Sequence, residues 1–183
     1  GTDPATLDGL ETWLTSRLGK GVVRALDTPN FVANRIGIFS LLAVMHHASA
    51  FGLAADTVDG LTGPKIGRPK SATYRTGDVV GLDTLAHVVK TMSDTLPSDP
   101  WHGYFNVPAW LDGLIAKGAL GQKTKGGIFR KQGKAIQVFD PASCDYRDSD
   151  DSLAPEVDAM LKMSDPAARL SALRTSHHPQ AQF

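Results

Sequence analysis

Near the N-terminus the apolar side chains Leu7, Leu10, Trp13, Leu14 and Leu18 recur at helical spacing behind Asp3-Pro4. Asp3 is placed to cap a helix and Pro4 occupies the first position, which tolerates it; Gly19 marks the stop. Residues 22–26, Val-Val-Arg-Ala-Leu, are short and β-branched at their start, which predicts a strand. From Phe31 to Phe51 the chain is hydrophobic on nearly every helical face. That pattern predicts a central helix buried all round, with Gly52 as its stop. Short helices are predicted at 54–61, 71–76, 84–96 and 107–117, the first two separated by a Gly/Pro-rich loop at 62–70. Residues 128–130 and 135–139 around Gln132-Gly133-Lys134 predict a β hairpin. An acidic boundary, 148–152, then precedes two short helices at 154–163 and 166–174. The expected fold is mainly α, with a short N-terminal strand and a small β hairpin. A strand at 22–26 has no neighbour to satisfy its backbone groups, so the chain reads as cut from something larger at that end, and its last helices have little apolar sequence to pack on.

Charge and composition narrow the chemistry. The 183 residues carry 19 basic and 19 acidic side chains, and this balance argues against a nucleic-acid binder, which needs a basic excess. The lone Cys144 rules out an internal disulfide and fits a reducing, cytoplasmic compartment. The most apolar stretch, 36–45, is well short of the ~20 residues of a membrane span. No metal site is expected: His46 and His47 are adjacent on one helix and point about 100° apart. Lys65, Arg68 and Lys70 cluster on the glycine-proline loop, either as a solvated surface or as a phosphate contact. No dinucleotide fingerprint, Walker loop, nucleophile elbow or zinc-protease motif occurs. Asn34 is a polar residue interrupting an apolar helix near its positive end, where donors favour developing negative charge. As a buried amide it must be satisfied, either by a neighbouring loop or by a ligand.

Four segments carry a resemblance. Gly19-Lys20-Gly21-Val22-Val23 with Asp27-Thr28-Pro29-Asn30-Phe31-Val32-Ala33-Asn34-Arg35 resembles the junction at which the nucleotide domain of 3-hydroxyacyl-CoA dehydrogenases passes into the helical C-terminal domain. The stretches from Gly67-Arg68-Pro69-Lys70-Ser71 to Gly81-Leu82-Asp83, and then Gly121-Gln122-Lys123-Thr124-Lys125-Gly126-Gly127-Ile128-Phe129, are similar to the family's glycine-proline loop, Gly-Leu-Asp turn and closing Gly-x-Lys-Thr-Gly segment. The details around Pro69-Lys70-Ser71, Phe139-Asp140-Pro141 and Tyr146 are most similar to long bacterial fatty-acid oxidation proteins.

The resemblance implies a helical bundle like the C-terminal domain of 6-phosphogluconate dehydrogenase. Residues 1–28 would be the last helix and strand of a truncated NAD-binding domain, 29–131 the helical C-terminal domain, and 132–183 a hairpin, a linker and an incomplete second helical unit. It also implies oxidation of an acyl-CoA substrate in fatty-acid β-oxidation, with NAD as cofactor and a homodimeric assembly. The proton-abstracting histidine and its glutamate, like the dinucleotide fingerprint, would lie in the absent domain. Two residues match the family's functional positions: Asn34 as the substrate-contacting catalytic asparagine, and Lys123 as a cofactor-binding lysine. Asn30 and Lys125 replace family glycines, and Ile128-Phe129 replaces Phe-Tyr. The alternatives are the helical domain of another NAD-dependent 3-hydroxyacid dehydrogenase and a non-catalytic interaction module.

Overall fold

A computed structural model describes residues 2–150 and 153–183. Asp3 accepts a hydrogen bond from the Thr6 N–H and opens helix α1 (Pro4–Leu18), which Gly19 closes in the left-handed conformation. A cap of this kind is worth about 1 kcal/mol. No residue of α1 is buried, and Arg24 reaches back to Asp8 and Glu11 on it. The strand expected at 22–26 does not form. These residues have no neighbouring edge to pair with, and Val23 and Leu26 are exposed.

Helix α2 (Val32–Ala50) is present, but it is not buried all round. Ile38, Leu42, Met45 and Ala48 face the core, whereas Phe31, Val32, Ile36 and Phe39 face solvent. Around the buried stripe stand α3 (Ala55–Thr62), α4 (Tyr74–Val80), α5 (Leu82–Thr95) and α6 (Ala109–Ala116). Their contribution to the core is Val58, Tyr74, Leu82, Leu85, Val89, Met92, Leu111 and Leu114. The helix predicted at 71–76 starts later than expected, because Ala72 sits at positive φ in the turn and Asp59 accepts hydrogen bonds from the Thr73, Tyr74 and Arg75 N–H groups. A short 3₁₀ turn, Pro64–Ile66, lies within the glycine-proline loop.

The predicted hairpin is the first part of a three-stranded antiparallel sheet, β1 (Phe129–Gln132), β2 (Ala135–Asp140) and β3 (Asp145–Asp148), in sequential order. Val138 is opposite Phe129 on one side and Arg147 on the other. Ile128, Val138 and Phe139 close the core. Strand β3 begins the stretch expected to be a boundary: Asp148 is its last residue, while 151 and 152 lie outside the described residues. Helices α7 (Pro155–Leu161), α8 (Pro166–Thr175) and α9 (Pro179–Gln182) follow. Val157 and Leu161 bury against Leu61 of α3, with Leu173 and Phe183 beside them. Lys65 on the glycine-proline loop pairs with Asp158 of α7, and Arg68 donates to Ser40, so two of the three loop cations are engaged within the chain.

Candidate functional site

Asn30 precedes α2 at φ 64°, the left-handed region that asparagine tolerates better than most residues. Its Nδ2 is the one buried side-chain polar atom left without a hydrogen-bond partner among the described residues. Phe31 then caps the helix without a side-chain hydrogen bond, and Arg35 anchors the first turn to Asp99 at 2.8 Å. Asn34 is the third residue of that turn. It is exposed, which corrects the expectation of a buried amide: no neighbouring loop covers it, so its side chain needs no internal partner. Beside it, Phe31 is 79% and Ile36 65% exposed. The result is an open carboxamide at the positive end of a 19-residue helix, set in an apolar strip.

Lys123 lies in the closing turn and is organised differently. Its ammonium donates to both oxygens of Asp83, at 2.6 and 2.7 Å, and these hydrogen bonds hold the Asp83 carboxyl below the usual carboxylate range. Gly81, at φ 97°, lets the chain pass beneath this pair, since a Cβ there would stand 3.2 Å from Lys123 Nζ and 3.0 Å from Asp83 Oδ1. Thr124 Oγ1 accepts from the Leu120 N–H and donates to Gly126 O. Gly121 and Gly126 exchange both backbone hydrogen bonds. The Gly-Leu-Asp turn and the Gly-x-Lys-Thr segment thus interlock. One ammonium proton of Lys123 stays open, enough to meet a single acceptor on a cofactor.

Beneath the turn sit buried carboxylates that a reading of the sequence passes over. Asp78 on α4 accepts from the Ile128 and Phe129 N–H groups, both at 2.8 Å. Burial pushes its pKa up to about 6 against the pull of those two hydrogen bonds, and nearby Asp59 adds to the rise. Burial likewise raises Asp59 despite its three N–H partners. Burial acts in the same direction on Asp56, but the two-pronged Arg147 contact and the Asp150 N–H outweigh it and hold this carboxyl low. A signal was available in α3: Asp56 and Asp59, three residues apart, share a short helix with Val58 and Leu61, which must pack.

His46 packs edge-on against Tyr104, and no three His, Cys, Asp or Glu side chains gather as a metal set among the described residues. No helix among them is long and apolar enough to cross a membrane. The family profile described as 3-hydroxyacyl-CoA dehydrogenase, C-terminal domain, matches residues 31–131. The chain belongs to the 3-hydroxyacyl-CoA dehydrogenase family. Within that family, a Bacillus subtilis protein named probable 3-hydroxyacyl-CoA dehydrogenase is 41% identical over 172 residues, covering 94% of this chain and 22% of the relative. A Deinococcus radiodurans protein of the same name is 40% identical over 130 residues, covering 71% of this chain and 37% of the relative. The chain therefore spans well under half the length of either. The crystal structure of M. tuberculosis FadB2 superposes with a TM-score of 0.59 at 28% identity, over 72% of this chain and 44% of that one. The helical bundle is thus that of the 3-hydroxyacyl-CoA dehydrogenase C-terminal domain, and the profile begins at Phe31, beside the open turn that carries Asn34.

Proposed function

We propose that the chain is the substrate-facing and dimerising part of a cytoplasmic, NAD-dependent (S)-3-hydroxyacyl-CoA dehydrogenase of fatty-acid β-oxidation. In this reading residues 1–28 end a nucleotide-binding domain, 29–131 form the helical substrate domain, and 132–183 lead into a second helical unit. The observation that carries the proposal is the open first turn of α2, where Asn34 is exposed among exposed apolar side chains. The unpartnered Asn30 amide next to it supports the same reading, because a buried donor ordinarily finds an acceptor and none lies within the described residues.

Asn34 donates from its amide to the acyl-CoA at the 3-oxygen or the thioester oxygen, orienting the reacting carbon. The helix end adds positive potential at that point. NAD, when bound, supplies the hydride acceptor. Lys123 offers its remaining N–H to the cofactor while Asp83 fixes its position. The base that takes the hydroxyl proton comes from a histidine–glutamate pair outside this chain, so the 183-residue chain alone forms no NADH. The exposed strip of Phe31, Ile36 and Phe39 supplies apolar surface for the nucleotide domain and for a second copy.

The test is the intact protein assayed for NADH formation with a series of 3-hydroxyacyl-CoA thioesters and the matching free 3-hydroxy acids. Turnover of the thioesters alone is expected. Equal kcat/KM for the free acids would favour the wider class of 3-hydroxyacid dehydrogenases, and no turnover of either would favour an interaction module.

A further inference from the structure

Three contacts seat the closing turn, and one of them comes from beyond the stretch that the family profile covers. At its front the Leu82 N–H donates to Leu120 O at 3.0 Å, tying the turn to the start of α5. Beneath it Asp78 of α4 accepts from the Ile128 and Phe129 N–H groups. The third contact is Tyr146 of β3, whose hydroxyl donates to Gly127 O. The profile ends at residue 131, so this hydroxyl belongs to the sheet that follows it.

Gly127 needs such a donor. It is buried, and a Cβ there would overlap the Asp78 carboxylate and stand 2.6 Å from Gly121 Cα, so its backbone is wedged between α4 and the start of the turn. A buried carbonyl left without a hydrogen bond is costly. Packing aims Tyr146 at it. The Arg130 guanidinium lies over the ring, 3.8 Å from its centroid, and Phe139, opposite Tyr146 in the β2–β3 register, makes a T-shaped contact at 5.5 Å. Phe139 is itself part of the core, so the ring cannot swing away without breaking both contacts. Burial raises the phenol pKa against the pull of Arg130, and Asp78 adds to the rise, so the hydroxyl stays a donor.

Gly127 adjoins the small loop that carries Lys123. Gly121 and Gly126 close this loop by exchanging both backbone hydrogen bonds, and Thr124 Oγ1 braces it, bonding to the Leu120 N–H and Gly126 O. Residues 122–125 are thereby coupled to the position of Gly126 and Gly127. Lys123 spans from this loop to Asp83, at the start of α5. Asp78 and Leu82 seat the turn on the α4–α5 side, and Tyr146 seats it on the sheet side.

We infer that Tyr146 is a positioning residue: through Gly127 O it fixes the backbone of the closing turn, and so the place at which Lys123 presents its remaining N–H to the cofactor. Its role in cofactor binding rests on the reading of Lys123 as a cofactor contact. Its hold on the Lys123–Asp83 pair rests on geometry alone.

The test is Tyr146→Phe, which deletes the hydroxyl and keeps the ring against Arg130 and Phe139. In the intact protein, KM for NAD is expected to rise about fivefold, the worth of one hydrogen bond, while KM for a 3-hydroxyacyl-CoA stays within about twofold. The variant should melt within a few degrees of the parent. Combined with Lys123→Ala it should add nothing to the KM for NAD of Lys123→Ala alone, because a residue that acts through Lys123 has no route without it. A readout free of cofactor is the carboxyl NMR titration of Asp83 in the 183-residue chain. In Tyr146→Phe the Asp83 pKa should climb from its depressed position toward the ordinary 3.8. An Asp83 titration identical in parent and variant overturns the inference. Additive effects in the double variant, or a KM for NAD that Lys123→Ala raises and Tyr146→Phe does not, overturn it as well. A KM for NAD unmoved by Lys123→Ala overturns instead the cofactor reading of that lysine, and with it the binding role of Tyr146, while the Asp83 titration still decides its hold on the pair.

Discussion

Lys123 and Asn34 are both exposed polar side chains that match motifs of the family, yet their surroundings are opposite. Around Lys123 the polar groups find partners inside the chain: Asp83 takes the ammonium, Thr124 bridges Leu120 and Gly126, and the glycines at 121 and 126 bond to each other. Around Asn34 the first turn of α2 has no side-chain cap, the amide beside it at Asn30 is orphaned, and apolar residues face outward. A motif therefore has two physical sources. The Lys123 motif is held by hydrogen bonds within the chain, and the Asn34 motif stands open on the surface. Counting hydrogen-bond partners separates them where matching residues does not.

The contrast is broken most severely on the closed side. A Cβ at Gly127 would overlap the Asp78 carboxylate and stand 2.6 Å from Gly121 Cα, all of it buried. Gly127→Ala should cost ~3 kcal/mol or more in chemical denaturation, since backbone cannot retreat as a flexible side chain would. A mutant as stable as the parent would mean that the turn is not locked onto α4.

The next effect depends on pH. Asp78 has a folded pKa of about 6, above its ordinary value of 3.8. Its contribution to stability is therefore fully present below about pH 4 and is lost as pH rises through 6, to the extent of roughly 3 kcal/mol. Asp78→Asn should cost about 1–3 kcal/mol at low pH, because its amide turns donors toward a backbone N–H. The gap between parent and variant should narrow from pH 4 to pH 7. Denaturation at several pH values reads this directly, and a gap that widens with pH would mean that hydrogen bonding to the carboxylate outweighs its burial.

The open side should hardly respond. Ile36 is 65% exposed, and isoleucine and serine have similar helix propensities, so Ile36→Ser should shift the stability of the isolated chain by less than about 0.5 kcal/mol. A larger loss would show that the strip is covered within the chain itself.

Much of this structure is legible in the amino-acid sequence. The cap at Asp3, the stop at Gly19 and the first turn of the hairpin follow from local chemistry and appear as expected. Residues 22–26 failed as a strand because a strand is a property of two neighbours, and propensity describes only one. The length of α2 was legible while its burial was not: hydrophobicity on all faces shows that every face can be covered, and only packing shows which faces are. The buried carboxylates leave no mark in the sequence because their partners, backbone N–H groups and the Arg147 guanidinium, lie up to 94 residues away. At the site, Asn34 and Lys123 came from resemblance, and nothing in their own spacing distinguishes the satisfied residue from the open one.

The central claim is that Asn34, exposed on the first turn of α2, serves substrate and contributes nothing to the fold. Asn34→Ala in the intact protein tests it, with kcat for a 3-hydroxyacyl-CoA and the melting temperature measured on the same preparation. The account predicts a kcat lower by about 10- to 100-fold, the worth of one hydrogen bond in the transition state, with an unchanged melting temperature. Unaltered turnover, or a loss of turnover matched by a loss of stability, would contradict it.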